Sequence, residues 1–244
     1  MRLTVLGSSG TYPVAGRPGS GYLIDHQNTR VWCDAGPGTL MALPVDVADI
    51  DAIFVSHRHP DHCLDVIIAS HVFAFGPRPR FGIPLYGPAS ALEALVGFVD
   101  GGRIDEVYDL RPLEGGDRLE IGSLELEVAT SDHSVPTFAS RWRSEHRSLC
   151  YSADTGPAGE WMRLAEGSDL FVCEATYQGV PGLAEYPHHL TATEAGAIAR
   201  TAGAKRLMLT HIPPHRDPAR SVIEAEKTFD RPVGLAVPGA STNL

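Results

Sequence analysis

The chain has 244 residues, 43% of them hydrophobic and 20% charged, a balance that supports one buried core and excludes a disordered or fibrous chain. A formal net charge of −10 argues against a large nucleic-acid partner, because that binding needs clustered Lys and Arg to displace counterions. The charge leaves room for a small phosphate ester whose own charge is met by metal. No apolar run approaches the roughly 18 residues of a membrane span.

Residues 1–244 are expected to form a single domain. No charged leader or cleavage pattern precedes the opening apolar segment, so a cytoplasmic location is expected. Cys33, Cys63, Cys150 and Cys173 lie far apart with no C-x-x-C pair, and disulfides are not expected.

In chain order, Leu3–Leu6, Gly21–Ile24 and Arg30–Cys33 read as strands punctuated by Gly and Pro. Ala52–Ser56 reads as a buried strand. From about Asp61 to Phe75, Leu64, Ile67, Ile68 and Phe75 fall at helical spacing, and a second helix covers about Ala89–Val99. Leu119–Val128 alternates like a hairpin with Gly122-Ser123 at its turn. Leu149–Ser152, Leu170–Cys173 and Arg206–Leu209 follow as strands. Thr191-Ala192-Thr193-Glu194 is a capping box for the helix Ala195–Ala202. Asp217 and Pro218 start another helix running to Phe229, and Val233–Val237 is expected to close the sheet.

Eleven histidines are many for this length, and four potential ligands crowd into Ser56-His57-Arg58-His59-Pro60-Asp61-His62. A tight loop after a buried strand can turn His57, His59, Asp61 and His62 the same way. Imidazole and carboxylate together suit zinc. A second strand, Arg206–Leu209, also ends in a hydroxyl residue followed by a histidine, Thr210-His211. The echo suggests that two halves deliver ligands to one cleft.

The H-x-H-x-D-H pattern resembles the metallo-β-lactamase fold superfamily, and the whole chain is most similar to its ribonuclease Z and cyclic-nucleotide phosphodiesterase branch. The resemblance runs from Leu6-Gly7-Ser8 and Asp34-Ala35-Gly36 to the last strand. It implies an α/β fold, an αββα four-layer sandwich. It also implies ligand roles for His133 in Asp132-His133-Ser134-Val135-Pro136, for Asp154 in Ser152-Ala153-Asp154-Thr155, and for His211. Ala153 stands where the family more often has Gly. By this resemblance His57, His59 and His133 would hold one ion and Asp61, His62 and His211 the other, with Asp154 bridging. The cofactor implied is two divalent metal ions, zinc first and manganese as the alternative. Such a pair, roughly 3.5–4 Å apart, makes hydroxide available near neutral pH. His59 argues against the di-iron redox branch, where the resemblance would predict Glu.

Cys173-Glu174-Ala175-Thr176 and His189-Leu190-Thr191 resemble the Glu and His that phosphodiesterases of this superfamily place beside the metals. The Leu-Thr that follows favours His189 over His188. Asp61, Glu174 and His189 are therefore the expected catalytic residues, His189 acting on the leaving group at a helix start. His26, His71, His146 and His188 receive no role, and for His215 a substrate contact stays open.

Only twenty residues separate His133 from Asp154, too few for the protruding arm of tRNA-maturing ribonuclease Z, although Arg141, Arg143 and Arg147 lie there. The expectation is a two-metal hydrolase of phosphodiesters, with a small cyclic nucleotide such as cAMP as substrate. The final Leu209–Pro214 segment is similar to the actinobacterial-type cyclic-nucleotide phosphodiesterases. The alternatives are an armless ribonuclease Z-like tRNA 3′-end endonuclease, a lactonase or other acyl hydrolase, and a non-catalytic metal-binding protein. A small phosphodiester is the expected partner. Neither a large nucleic acid nor a membrane is expected, and a homodimer stays open.

Overall fold

The computed structural model describes residues 1–98, 104–180 and 187–244. The strands are β1 (Arg2–Gly7), β2 (Gly21–His26), β3 (Thr29–Ala35), β4 (Ala52–Phe54), β5 (Ile83–Pro88), β6 (Tyr108–Leu113), β7 (Arg118–Ile121), β8 (Leu124–Thr130), β9 (Phe138–Arg143), β10 (Ser148–Tyr151), β11 (Leu170–Glu174), β12 (Leu207–Thr210), β13 (Val233–Leu235) and β14 (Ser241–Asn243). The helices are α1 (Pro60–Phe75), α2 (Ala89–Phe98), α3 (Ile104–Val107), α4 (Ala192–Thr201) and α5 (Pro218–Phe229).

Two seven-stranded sheets run in the orders β14-β1-β2-β3-β4-β5-β6 and β13-β12-β11-β10-β9-β8-β7. Each is antiparallel in one half and parallel in the other. Side-chain alternation makes three apolar layers out of these strands. Tyr22, Ile24, Val31, Cys33 and Phe54 of the first sheet meet Leu126, Val128, Trp142, Leu149 and Val172 of the second. The opposite face of the first sheet, with Leu23, Trp32 and Ile53, packs on α1, α2 and α3. The opposite face of the second, with Cys150, Phe171, Cys173 and Leu209, packs on α4 and α5. The result is the αββα sandwich. All four cysteines are buried free thiols. Among the described residues no helix is long and apolar enough to cross a membrane.

Several expectations shift. Helix α1 buries Asp61, His62, Cys63, Val66, Ile67, Ala69, Ser70 and Phe73, whereas Ile68 and Phe75 turn to solvent at 57% and 73% exposure. Burying the two polar residues of its first turn fixes the rotation of the helix, and the apolar stripe follows from His62. Helix α4 starts at Ala192, immediately after Thr191, with both capping-box bonds made. The helix expected over Ala89–Val99 is described to Phe98; its last residue lies outside the described residues. Val233–Leu235 forms the edge strand that ends the second sheet, as expected, but it is shorter than expected and is not the last strand of the chain. The chain leaves β13 at Leu235, crosses to the first sheet, and pairs β14 with β1. Strands β5, β6 and β9 are additions to the expected set.

Candidate metal centre

The expected ligands leave the carboxyl ends of their strands at one rim of the sandwich. His57, His59, Asp61 and His62 follow β4, His133 follows β8, Asp154 follows β10, and His211 follows β12. All seven converge. His57 Nε2 and His133 Nε2 each lie 3.1 Å from His59 Nδ1. Nitrogens bound to one tetrahedral ion at about 2.0–2.1 Å sit roughly 3.3 Å apart, so this trio already has the spacing of one coordination sphere. On the other side, Asp61 Oδ2 lies 3.2 Å from His211 Nε2 and 3.8 Å from His62 Nε2.

Asp154 faces both sets. Its Oδ1 is 3.2 Å from His62 Nε2 and 3.4 Å from His211 Nε2, while its Oδ2 is 3.7 Å from His57 Nε2 and 3.9 Å from His133 Nε2. His62 Nε2 and Asp154 Oδ1 are buried with no hydrogen-bond partner among the described residues. A buried polar atom left bare costs stability unless something satisfies it. The donor set fits divalent cations on both sides of Asp154.

The backs of the imidazoles are held by acceptors, which sets which nitrogen faces inward. His62 Nδ1 donates to Asp34 Oδ2 at 2.7 Å. Ser56 Oγ donates to the same Asp34 oxygen at 2.8 Å and accepts from His57 Nδ1 at 3.0 Å. His133 Nδ1 donates to the His188 carbonyl at 3.1 Å. His211 Nδ1 donates to Thr176 Oγ1 at 2.8 Å, and that hydroxyl donates onward to Glu174 Oε2 at 2.8 Å. Each therefore points its Nε2 into the cluster. His59 offers Nδ1 instead. It also occupies the N-cap position of α1 without making a side-chain cap, its nitrogen being engaged in the cluster.

The electrostatics favour a cation. Burial keeps His57 and His59 below the usual imidazole range and holds His133 at about 4, so all three are neutral donors. Burial also opposes charge on His62, but Asp154, Asp34 and Asp61 outweigh it and push its pKa well up. A field that draws a proton onto His62 draws a metal ion more strongly. Asp61 resists the upward push of burial and is held at about 2 by His62 and His211. Burial likewise opposes ionisation of Asp154, yet His211, His62 and His57 hold it well below the carboxylate range.

Backbone strain gathers at the same rim. Asp34, Ala153 and His211 have φ of 57°, 51° and 56°, a left-handed conformation that costs a non-glycine residue about 1–2 kcal/mol. Glycine would take the Ala153 position unstrained, so the departure from the family pattern is carried as strain beside Asp154. Gly36 admits no side chain: a Cβ there would lie 2.0 Å from the Asp61 carbonyl oxygen.

Beside the cluster, Glu174 is fully buried and accepts from Thr155 N at 2.7 Å, Thr176 N at 3.3 Å, Leu190 N at 3.2 Å and His189 Nδ1 at 2.9 Å. Burial lowers the pKa of His189, but the charge and hydrogen bond of Glu174 dominate and lift it to about 9. One ring nitrogen of His189 lies within 4.8 Å of ligand atoms of Asp154 and His211. His71 sits on the outer face of α1 against Phe75, and His146 is 86% exposed at the β9–β10 turn. Asp34, Ser56, Thr176 and the His188 carbonyl were not among the expected site residues. Their only sequence signals are the Asp-Ala-Gly at the end of β3 and the hydroxyl residue before His57.

With this geometry in hand, the chain can be placed. The model of the beta-lactamase superfamily domain matches residues 29–212. The chain belongs to that family and is a metallo-hydrolase of the β-lactamase fold. It is 35% identical to the uncharacterized protein Rv1339 of Mycobacterium tuberculosis over 97% of this chain and 90% of that one. The probable metallo-hydrolase YhfI of Bacillus subtilis is 26% identical over 98% of both chains. The crystal structure of YhfI matches with a TM-score of 0.89 over 99% of this chain and 98% of that one. Ribonuclease Z of Methanopyrus kandleri is 28% identical over 92% of this chain and 91% of its own.

Proposed function

We propose that the protein is a metal-dependent phosphodiesterase whose substrate is a small cyclic nucleotide such as cAMP. The observation that carries this reading is the Glu174–His189 pair, joined at 2.9 Å and set beside the seven-donor cluster. Two divalent ions, zinc first and manganese as the alternative, would supply an activated water and neutralise charge on the phosphoryl oxygens. His57, His59 and His133 would hold one, Asp61, His62 and His211 the other, and Asp154 would be shared.

The chain's own groups do the rest. Glu174 favours the protonated form of His189 against the effect of burial, and His189 is placed beside the cluster to donate to the leaving 3′ oxygen. Glu174 fixes the imidazole from behind and is itself fixed by backbone amides from three segments. Asp61 adds negative charge to its side of the cluster. An acyl hydrolase has less use for such a donor, since its metals polarise the carbonyl directly.

The twenty residues between His133 and Asp154 are taken up by β9 and β10, paired antiparallel within the second sheet. Together with the net charge of −10 this supports a small substrate. Similarity to a ribonuclease Z keeps tRNA 3′-end cleavage as the second reading. Metal-loaded protein assayed against cAMP, bis-p-nitrophenyl phosphate, precursor tRNA and a lactone decides between them. Turnover of cAMP is expected; turnover of the lactone alone would overturn the reading.

A further inference from the structure

Two loops that contact residues of the cluster also meet each other. In the first, Gly10 packs so tightly on His211 that a Cβ there would lie 2.4 Å from the His211 carbonyl oxygen. Thr11 donates its amide to Asp61 Oδ2 at 2.8 Å. It does so from a left-handed turn with φ 69°, which a β-branched residue adopts only at a cost. The Tyr12 amide closes that turn on the Gly10 carbonyl at 2.8 Å. Tyr12 thus projects directly from a residue bonded to a metal-site carboxylate.

The second loop follows His211 and carries His215. The Tyr12 hydroxyl and His215 Nδ1 are hydrogen-bonded at 3.0 Å. Their ring planes differ by 9° and their centroids are 6.3 Å apart. Rings near-parallel at that separation and joined through the hydroxyl lie side by side, as one broad shelf. The shelf is rigid. Arg17 ties the loops together by donating to the Pro214 carbonyl at 3.3 Å, and Arg216, beyond His215, is anchored 5.3 Å over the Tyr177 ring. It is also open to solvent, with Tyr12 at 41% exposure. A strained, braced and exposed aromatic surface one residue from the Asp61 contact is more than a solvated loop tip requires.

We propose that Tyr12 and His215 form a nucleobase subsite, on which the base of a nucleotide stacks while its phosphate lies at the metal cluster. The choice of ligand rests on the phosphodiesterase reading, and the shelf deepens that reading by assigning the residues that would take the base of the nucleotide. Stacking on aromatic side chains is sequence-tolerant and contributes roughly 5–150-fold in affinity per base. Pre-bracing the shelf removes part of the ordering cost of binding.

The test is calorimetric titration of metal-loaded protein with 5′-AMP and with ribose 5-phosphate, which carries the same phosphate and sugar without the base. Wild type is expected to prefer AMP by about 10–100-fold. Tyr12→Ala and His215→Ala should each erase most of that preference, while Tyr12→Phe, which keeps the ring, should retain most of it. Metal content measured on each variant shows that the Asp61 side of the cluster is intact. Equal affinity of wild type for the two ligands, no measurable AMP binding, or a preference that survives both alanine variants would overturn the subsite. A wild type that fails to hydrolyse cAMP yet prefers AMP would overturn the phosphodiesterase reading and leave the subsite standing.

Discussion

Asp34 Oδ2 lies 2.7 Å from His62 Nδ1, and neither side chain has any exposure. Asp34 lies behind His62 and not among the clustered donor atoms, and its work is orientation. It accepts the rear N–H of His62, and through Ser56 Oγ it fixes His57 as well. Tyr151 Oη donates to the same oxygen at 2.8 Å, and the Ser56 amide donates to the other at 2.7 Å. One carboxylate thereby orients an imidazole on each side of Asp154.

Asp34→Asn tests this. Asn tolerates the left-handed φ of 57° at this position, so the fold should survive. Its amide nitrogen, however, must meet a donor on one side. Metal affinity, measured by competition with a chelator, should fall by roughly 10–100-fold. A folded variant with wild-type affinity would show that the imidazoles need no such backing.

The two faces of Asp154 make a prediction about stoichiometry. Wild type is expected to carry close to two equivalents of metal, and chelation should abolish hydrolysis. Asp61→Ala removes a donor from the His62 and His211 side only, so one equivalent should remain with His57, His59 and His133. Asp154→Ala should weaken both equivalents. His71→Ala, on the outer face of α1, should change neither metal nor activity. Elemental analysis of the four proteins checks this, and one equivalent in fully active wild type would refute the two-ion assignment.

Four of the seven clustered residues, His57, His59, Asp61 and His62, were legible because they crowd behind one apolar strand, whereas His133 and Asp154 stood out only through the resemblance to the family's motifs. The supports of the cluster were not legible. Asp34, Ser56 and Thr176 look like any polar residue at or just after a strand end, and only the folded chain shows that they back His62, His57 and His211. Strand β5 was hidden by Pro84 and Pro88, which argue against an interior strand although β5 pairs on both sides. Strand β9 was masked by Arg141 and Arg143, whose charge is met in the fold: Arg143 by Glu125 and Glu127 across the ladder, and Arg141 by the carbonyls of Leu164 and Glu166 in the segment between β10 and β11. Strand β14 is three polar residues with no hydrophobic signal, held by its register with β1.

Glu127 gives a pH prediction away from the metals. Its side chain is 1% exposed and contacts Arg118 at 2.9 Å, Arg143 at 3.0 Å, and Arg163. Burial raises its pKa, but hydrogen bonds from Arg163 and Arg118 and the surrounding charge bring it below the usual glutamate value. A folded-state pKa that is depressed contributes stability above the unfolded value of about 4.3, and loses it as pH falls through the folded value. Glu127→Gln should therefore cost about 1–2 kcal/mol at pH 7 and low salt, the arginines being partly solvated. Thermal unfolding should show the gap to wild type closing below about pH 4. A gap independent of pH would mean that packing, and not charge, sets the effect.

The role of His189 separates phosphodiester from acyl chemistry. Its Nδ1 is committed to Glu174 at 2.9 Å and its ring stacks on that of His211, with centroids 5.5 Å apart. It also sits two residues before Thr191, the cap of α4, where a helix start favours developing negative charge. None of these contacts makes it one of the seven proposed ligands. His189→Ala should keep both equivalents of metal while lowering kcat on cAMP by roughly 10²–10⁴-fold, the usual contribution of a positioned acid. KM should change less, because the interaction is made chiefly in the transition state. The loss should shrink on bis-p-nitrophenyl phosphate, since p-nitrophenolate leaves without help from a proton. Glu174→Gln should follow the same pattern with a smaller loss, because it weakens the charge on His189 and leaves the ring in place. Wild-type rates on both esters in His189→Ala, or a variant that has simply lost metal, would remove the donor role and with it the case for a phosphodiester substrate.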